Sequence, residues 1–180
     1  MTDEQELFTL SAADTSQARR LFRTIAADLF ARLPSSAIEH VGSTAVAGSL
    51  TKGDLDVLVR VGAADFLKAQ LVLDELLIPS SRNERTLEYA EYDYSVDGAS
   101  VSIQLVVVGS DIDNHFHYVK AALESDSDAL NEYNDLKSRY VGRSMASYRQ
   151  AKERFIDSLL AAYLAAHDQR ESILLPGIHE

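Results

Sequence analysis

"GSTAVAGSLTKGDLDV", residues 42–57, decides how the rest of the chain is read. It opens on a turn of small residues, Gly42-Ser43-Thr44. It closes on two aspartates one residue apart that enter an apolar run. Glycine lets an anion approach the backbone closely, and the neighbouring hydroxyls and N–H groups can donate to a phosphate. Downstream, Leu55, Val57, Val59 and Val61 alternate with Asp54, Asp56, Leu58 and Arg60, the period of a strand with one wholly apolar face. That period puts Asp54 and Asp56 on the same face. Two adjacent carboxylates repel unless something positive lies between them. Mg²⁺ suits the place, because it takes oxygen ligands and typically binds one or two carboxylates with substrate phosphates and water. Each half alone has an ordinary alternative, a plain turn and a solvated strand start. Joined by a loop between strands, the two point to a phosphate-and-metal site.

Working outward, "SAIEHV" at 36–41 reads as the strand that delivers the turn, with His40 just ahead of it. Ala18, Leu21, Phe22, Ile25, Leu29 and Leu33 recur at helical spacing over 15–33, with Asp14 or Thr15 as cap and Pro34 beyond the end. A second helix is expected from 63 or 64 to 77, and "IPSSRNER" at 78–85 as a loop. Two β-rich runs, 85–96 and 99–109, flank Asp97-Gly98, a two-residue hairpin signal because a type I′ turn needs positive φ at both positions. In that register Glu91 faces Gln104 and Asp93 faces Ser102. Helices then follow, from Asp113, from Ser125 or Asp126 to Gly142, and from a cap at Ser144. The whole reads as a small mixed sheet flanked by helices, an α/β (α+β) fold with a C-terminal helical extension. We expect one domain over 1–170, with its sheet at about 37–109, a helical part at about 113–168, and a tail at 171–180.

The 180 residues carry a net charge of −11, and the densest basic cluster, Arg19, Arg20 and Arg23, falls on one helix. Long nucleic acid is therefore not an expected partner, since its affinity comes from lysines and arginines neutralising phosphates. A small phosphorylated ligand needs only a local site. The absence of cysteine excludes disulfides, thiolate catalysis and cysteine-based metal centres. No run approaches the roughly 20 apolar residues of a membrane span, and "MTDEQELFTL" lacks the basic and apolar regions of a signal peptide. The cytoplasm is the expected location.

Gly42-Ser43 followed by Asp54-Leu55-Asp56 resembles the signature of the polymerase-β-like nucleotidyltransferase superfamily. A longer likeness is to the GrpB family within it, through "IEHVGSTAVAGSLTKGDLDV" at 38–57, "FHYVKAAL" at 116–123 and "YRQAKERFI" at 148–156. The resemblance implies a nucleotidyltransferase fold. It implies that Ser43 touches the terminal phosphates of a nucleoside triphosphate, and that Asp54 and Asp56 hold Mg²⁺ for attack by a small acceptor. Lys52 and Lys152 are candidates to neutralise phosphate charge, with surface lysines as the ordinary alternative.

The pattern departs at the third carboxylate that active superfamily members carry on a neighbouring strand. Here the corresponding strand offers Ser102 and Gln104. Glutamine can ligate a metal but cannot act as a base at neutral pH. Glu91, across the ladder, is a candidate substitute; the alternative is that Glu91, Asp93, Ser102 and Gln104 form the polar outer face of a half-solvated hairpin. His40 could contact a phosphate or bond the loop. His115 and His117 point about 200° apart on a helix and chelate poorly, which suits a surface or capping role. Three functions remain open: a Mg²⁺-dependent nucleotidyltransferase, a nucleotide or phosphoryl-ligand-binding module without turnover, and a structural or oligomeric protein.

Overall fold

The computed structural model describes residues 6–11 and 15–174. In chain order the elements are α1 (Thr15–Arg32), β1 (Ala37–Val41), β2 (Leu55–Val61), α2 (Phe66–Leu76), β3 (Ile78–Pro79), β4 (Tyr89–Val96), β5 (Ala99–Val107), α3 (Asp111–Ser125), α4 (Ser127–Tyr140) and α5 (Met145–Leu174). The strands form one sheet in the order β1-β2-β5-β4-β3. The β2–β5 pair is parallel and the others are antiparallel.

The period-two alternation of β2 sorts the molecule into layers. Leu55, Val57, Val59 and Val61 face α1 and α2, packing with Val101, Ile103, Leu105 and Tyr92 against Ile25, Leu29, Phe66 and Leu73. Each side chain buried there contributes about 1.5–3 kcal/mol. The opposite face carries Asp56, Leu58 and Arg60. There Val41, Leu58 and Val106 pack under Ile112 and Phe116 of α3.

Arg60 clamps α3 to this face. Its guanidinium donates to both carboxylate oxygens of Asp113, at 2.6 and 2.8 Å, and to Glu39 at 2.8 Å. His117 bridges the Asp113 carbonyl at 2.7 Å and Glu39 at 2.9 Å, an anchoring role rather than a surface one.

The hairpin follows the expected register, with Glu91 opposite Gln104 and Asp93 opposite Ser102. Asp97 and Gly98 take φ of 49° and 78°, as a two-residue turn demands. Other expectations are corrected. The helix after Gly109 starts at Asp111, capped by Ser110 Oγ, which accepts from the Asp113 N–H. Asp113 lies one turn in, because its carboxylate belongs to Arg60. The 78–85 stretch is not all loop: Ile78 and Pro79 pair with Asp93 and Tyr92 as an edge strand, where proline costs no ladder bond. Helix α5 runs on to Leu174, so the first four residues of the expected tail are helical. Asp14 and the rest of the tail lie outside the described residues.

The polar face of the hairpin is not half-solvated. Glu91, Ser102 and Gln104 are 6%, 8% and 5% exposed, and only Asp93 stays out. The cover comes from the loop after β3. Arg82 donates to Glu91 and Asp93, and Asn83 donates to Glu91.

Residues 6–11 run between the two halves of the chain. The Glu6 carbonyl accepts from Met145 N at 2.7 Å, Phe8 exchanges backbone bonds with Arg143 and Gly142, and Ser11 N donates to the Thr51 carbonyl. The Phe8 ring stacks on Tyr148 with centroids 3.8 Å apart.

Candidate functional site

The aspartates lie where β2 begins, beside the turn that leaves β1. Gly42 has φ +72° and is the point of closest approach. A Cβ there would lie 2.0 Å from Asp56 Oδ2, so the turn and the carboxylate meet only because residue 42 has no side chain. Gly42, Ser43, Asp54 and Asp56 line a cleft of about 720 Å³ between the sheet and α3, α4 and α5.

Six cationic side chains line it, Lys52, Arg82, Lys120, Lys137, Arg149 and Lys152, against five acidic ones, Asp54, Asp56, Glu91, Glu153 and Asp157. The whole chain has 17 basic and 28 acidic residues, so the cleft is close to charge balance in an acidic protein.

Asp56 sits deep on the floor. Burial pushes its pKa up to about 6; Lys152 opposes that, Asp54 adds to it, and Lys52 and Gln104 oppose it. The Asp54 carboxylate is paired with Lys52. Lys152, an exposed residue of α5, also lines the cleft. Tyr133 and the carboxylates of Asp56 and Asp54 raise its pKa against burial, so it remains a cation.

The donor set fits Mg²⁺. Among the described residues no three acidic or histidine side chains converge as a metal group, so two carboxylates are what the protein offers. Beside Asp56, Gln104 donates from Nε2 to Ser102 at 2.8 Å, while its Oε1 is buried with no hydrogen-bond partner. Gln104 also hydrogen-bonds the Asp56 carboxylate through its amide N–H end, so the oxygen pair that a hard cation would complete with phosphates and water is Asp54 and Asp56.

The other sequence candidates divide. Ser43 and Lys152 line the cleft with the aspartates. Thr44 is buried and turns inward, donating to the Asp54 carbonyl. His40 bonds Thr44 Oγ1 at 2.9 Å and stacks on Phe22, so its partner is the loop. Burial, Lys120 and Arg19 lower its pKa to about 4, leaving it neutral. Glu91 reaches the cleft, but its carboxylate accepts from Arg82, Asn83 and Ser102. His115 also lines the cleft, where burial, aided by Lys152, lowers its pKa, so it is not simply a surface residue.

Lys137, Arg149 and Tyr148 were missed. Lys137 is 1% exposed beneath the Gly42-Ser43 turn. The signal was its phase: it falls on the stripe Leu130, Tyr133, Tyr140, where the helical period calls for an apolar residue.

The GrpB protein family model matches residues 10–162. A UPF0157 protein of Vibrio cholerae is 32% identical over 151 residues, covering 82% of this chain and 79% of the relative. The chain belongs to the GrpB family. The crystal structure of conserved protein GrpB from Enterococcus faecalis superposes with a TM-score of 0.70 over 88% of this chain and 99% of that one, at 17% identity. That likeness shows a shared fold, and the expected α/β class, a mixed sheet flanked by helices, holds. The Cid1 poly(U) polymerase with Mg 3′-dATP bound matches at a TM-score of 0.47 and 15% identity, over 67% of this chain and 40% of that one, too loosely to argue activity.

Proposed function

We propose that this GrpB family protein binds a nucleoside triphosphate with Mg²⁺ in the cleft and transfers its nucleotidyl group to a small acceptor. One observation carries the reading: Asp54 and Asp56 meet the Gly42-Ser43 turn in one cleft, which Lys52, Arg149 and Lys152 also line. Asp54 and Asp56 would hold the ion, which when bound offsets phosphate charge and polarises the reacting phosphoryl group. The Ser43 hydroxyl donates to the terminal phosphates. Lys152 and Arg149 face them from α5, and their charge offsets what develops on the leaving pyrophosphate. The negative remainder of the protein keeps long nucleic acid out.

The second reading is binding without turnover. It is favoured by Glu91, whose carboxylate is taken up by three donors, while Gln104 cannot accept a proton. Calorimetric titration with ATP, GTP, CTP and UTP, with and without Mg²⁺, tests both, followed by transfer of an α-phosphate label. Metal-dependent binding with transfer supports the enzyme, and binding without transfer supports the module. No binding leaves a structural role. Asp54→Ala is expected to abolish the Mg²⁺-dependent part, and unchanged affinity in that variant refutes the metal assignment.

A further inference from the structure

Helix α4 turns two polar residues, three positions apart, onto the underside of the loop that follows Gly42. Asn134 accepts from Leu50 N at 2.8 Å and donates to the Gly48 carbonyl at 2.9 Å. Lys137 donates to Ser49 Oγ at 2.7 Å, to the Leu50 carbonyl at 2.5 Å and to Ser43 Oγ at 3.2 Å, with its amino group 3.7 Å from the Tyr133 ring centroid. An ammonium has three hydrogens and no acceptor. All three are engaged by the loop and the fourth side lies over a ring, so no donor is left for a ligand. A serine hydroxyl has one hydrogen and two lone pairs. Lys137 occupies a lone pair of Ser43, so the hydroxyl hydrogen cannot point at Lys137 and is free to point into the cleft that Ser43 lines.

We propose that Lys137 is a positioning residue for phosphate recognition, which touches no ligand itself and fixes Ser43 Oγ as a donor aimed into the cleft. The inference rests on the reading that the cleft holds a polyphosphate. It makes the role of Ser43 conditional on the charge of Lys137. As an ammonium, Lys137 donates to Ser43; as a neutral amine it keeps two hydrogens for the closer Ser49 Oγ and Leu50 carbonyl, and its lone pair takes the Ser43 hydrogen and withdraws it from the ligand. Burial, aided by Lys152 on α5, lowers the Lys137 pKa to about 7. Tyr133 of α4 faces it with its ring, and the loop turns only hydroxyls and a carbonyl toward it.

The test is calorimetric titration of Mg–ATP, with Mg–tripolyphosphate as a base-free probe, into wild type, Ser43→Ala, Lys137→Met and the double variant. Ser43→Ala is expected to weaken binding about tenfold in wild type, the loss of one hydrogen bond to a charged group. In the Lys137→Met background the same change is expected to cost less than about threefold, because the hydroxyl is no longer aimed. If the two losses multiply, Lys137 meets the ligand directly and the inference falls. If Lys137→Met lowers only the melting temperature, the lysine is merely structural and the inference falls again.

A second measurement leaves Lys137 in place, should Lys137→Met not fold. The wild-type to Ser43→Ala affinity ratio cancels the ligand's own titration. It is expected to drop from about tenfold near pH 6 to under about threefold near pH 9. A constant ratio overturns the proposal. If wild type binds neither probe, the proposed function fails first and this inference with it. Binding without coupling removes the inference alone.

Discussion

Replacing Gly42 with alanine tests the closeness of the turn to the Asp56 carboxylate. Two costs follow from the structure. At φ +72° an alanine is in the left-handed region, which costs about 1–2 kcal/mol. Its Cβ would also lie 2.0, 2.7 and 2.9 Å from Oδ2, Cγ and Cβ of Asp56, so Asp56 or the turn must move, an overpacking cost of about 1–3 kcal/mol. Together these predict about 2–5 kcal/mol, or roughly 4–20 °C in Tm for a chain of this size. Gly98→Ala is the control. Its φ is +78° and nothing lies within 4 Å of the added carbon, so it carries the backbone cost alone. Urea and thermal denaturation of both variants in EDTA read the difference, about 1–3 kcal/mol, as the Asp56 contact. Equal destabilisation, within about 0.5 kcal/mol, would refute the placement of the carboxylate against the turn. Adding Asp56→Ala removes Oδ2 and Cγ and is expected to recover most of the extra loss.

Two further outcomes are expected. Asp56→Asn should raise stability above about pH 7 by at most about 3 kcal/mol, the free-energy equivalent of moving a carboxyl from 3.8 to about 6. A carboxyl raised on folding favours the folded state more as pH falls through 6, so the advantage of the variant should shrink between pH 7 and 4. His40, lowered to about 4, works in the opposite sense and cancels in the difference between the two proteins. A pH-independent difference in chemical denaturation in EDTA would contradict the burial of Asp56. Separately, Asp113→Ala should cost about 3 kcal/mol, because it leaves Arg60 without its two-pronged partner on a face where the guanidinium is only 22% exposed. A loss under about 1 kcal/mol in urea would show that Arg60 does not dock α3.

The half-site was legible because its spacing rules are local. Alternation in β2 placed both aspartates on one face, and Asp97-Gly98 set the register that puts Glu91 opposite Gln104. What covers that face was not legible. Arg82 and Asn83 read as ordinary loop residues, and only their return onto Glu91 shows that the hairpin is enclosed. Lys137 escaped for a related reason. Its partners, Ser43, Ser49 and Leu50, lie 87–94 positions away, and no periodicity within α4 names them. Asp113 was taken for a helix start because carboxylates cap helices well; the partner that buries it, Arg60, is 53 positions distant.

The backbone bonds of residues 6–11 also order events during synthesis. Phe8 closes on Tyr148, a loop of about 140 residues, whose closure entropy is on the order of 4 kcal/mol. At a translation rate of roughly 5–20 residues per second, Phe8 emerges roughly 7–30 s before its stacking partner. Throughout that interval a ring destined for 1% exposure stands in water, and the cleft has no α5 wall. Until α5 emerges Phe8 therefore lacks its cover, and the cleft is completed with that helix rather than with the sheet.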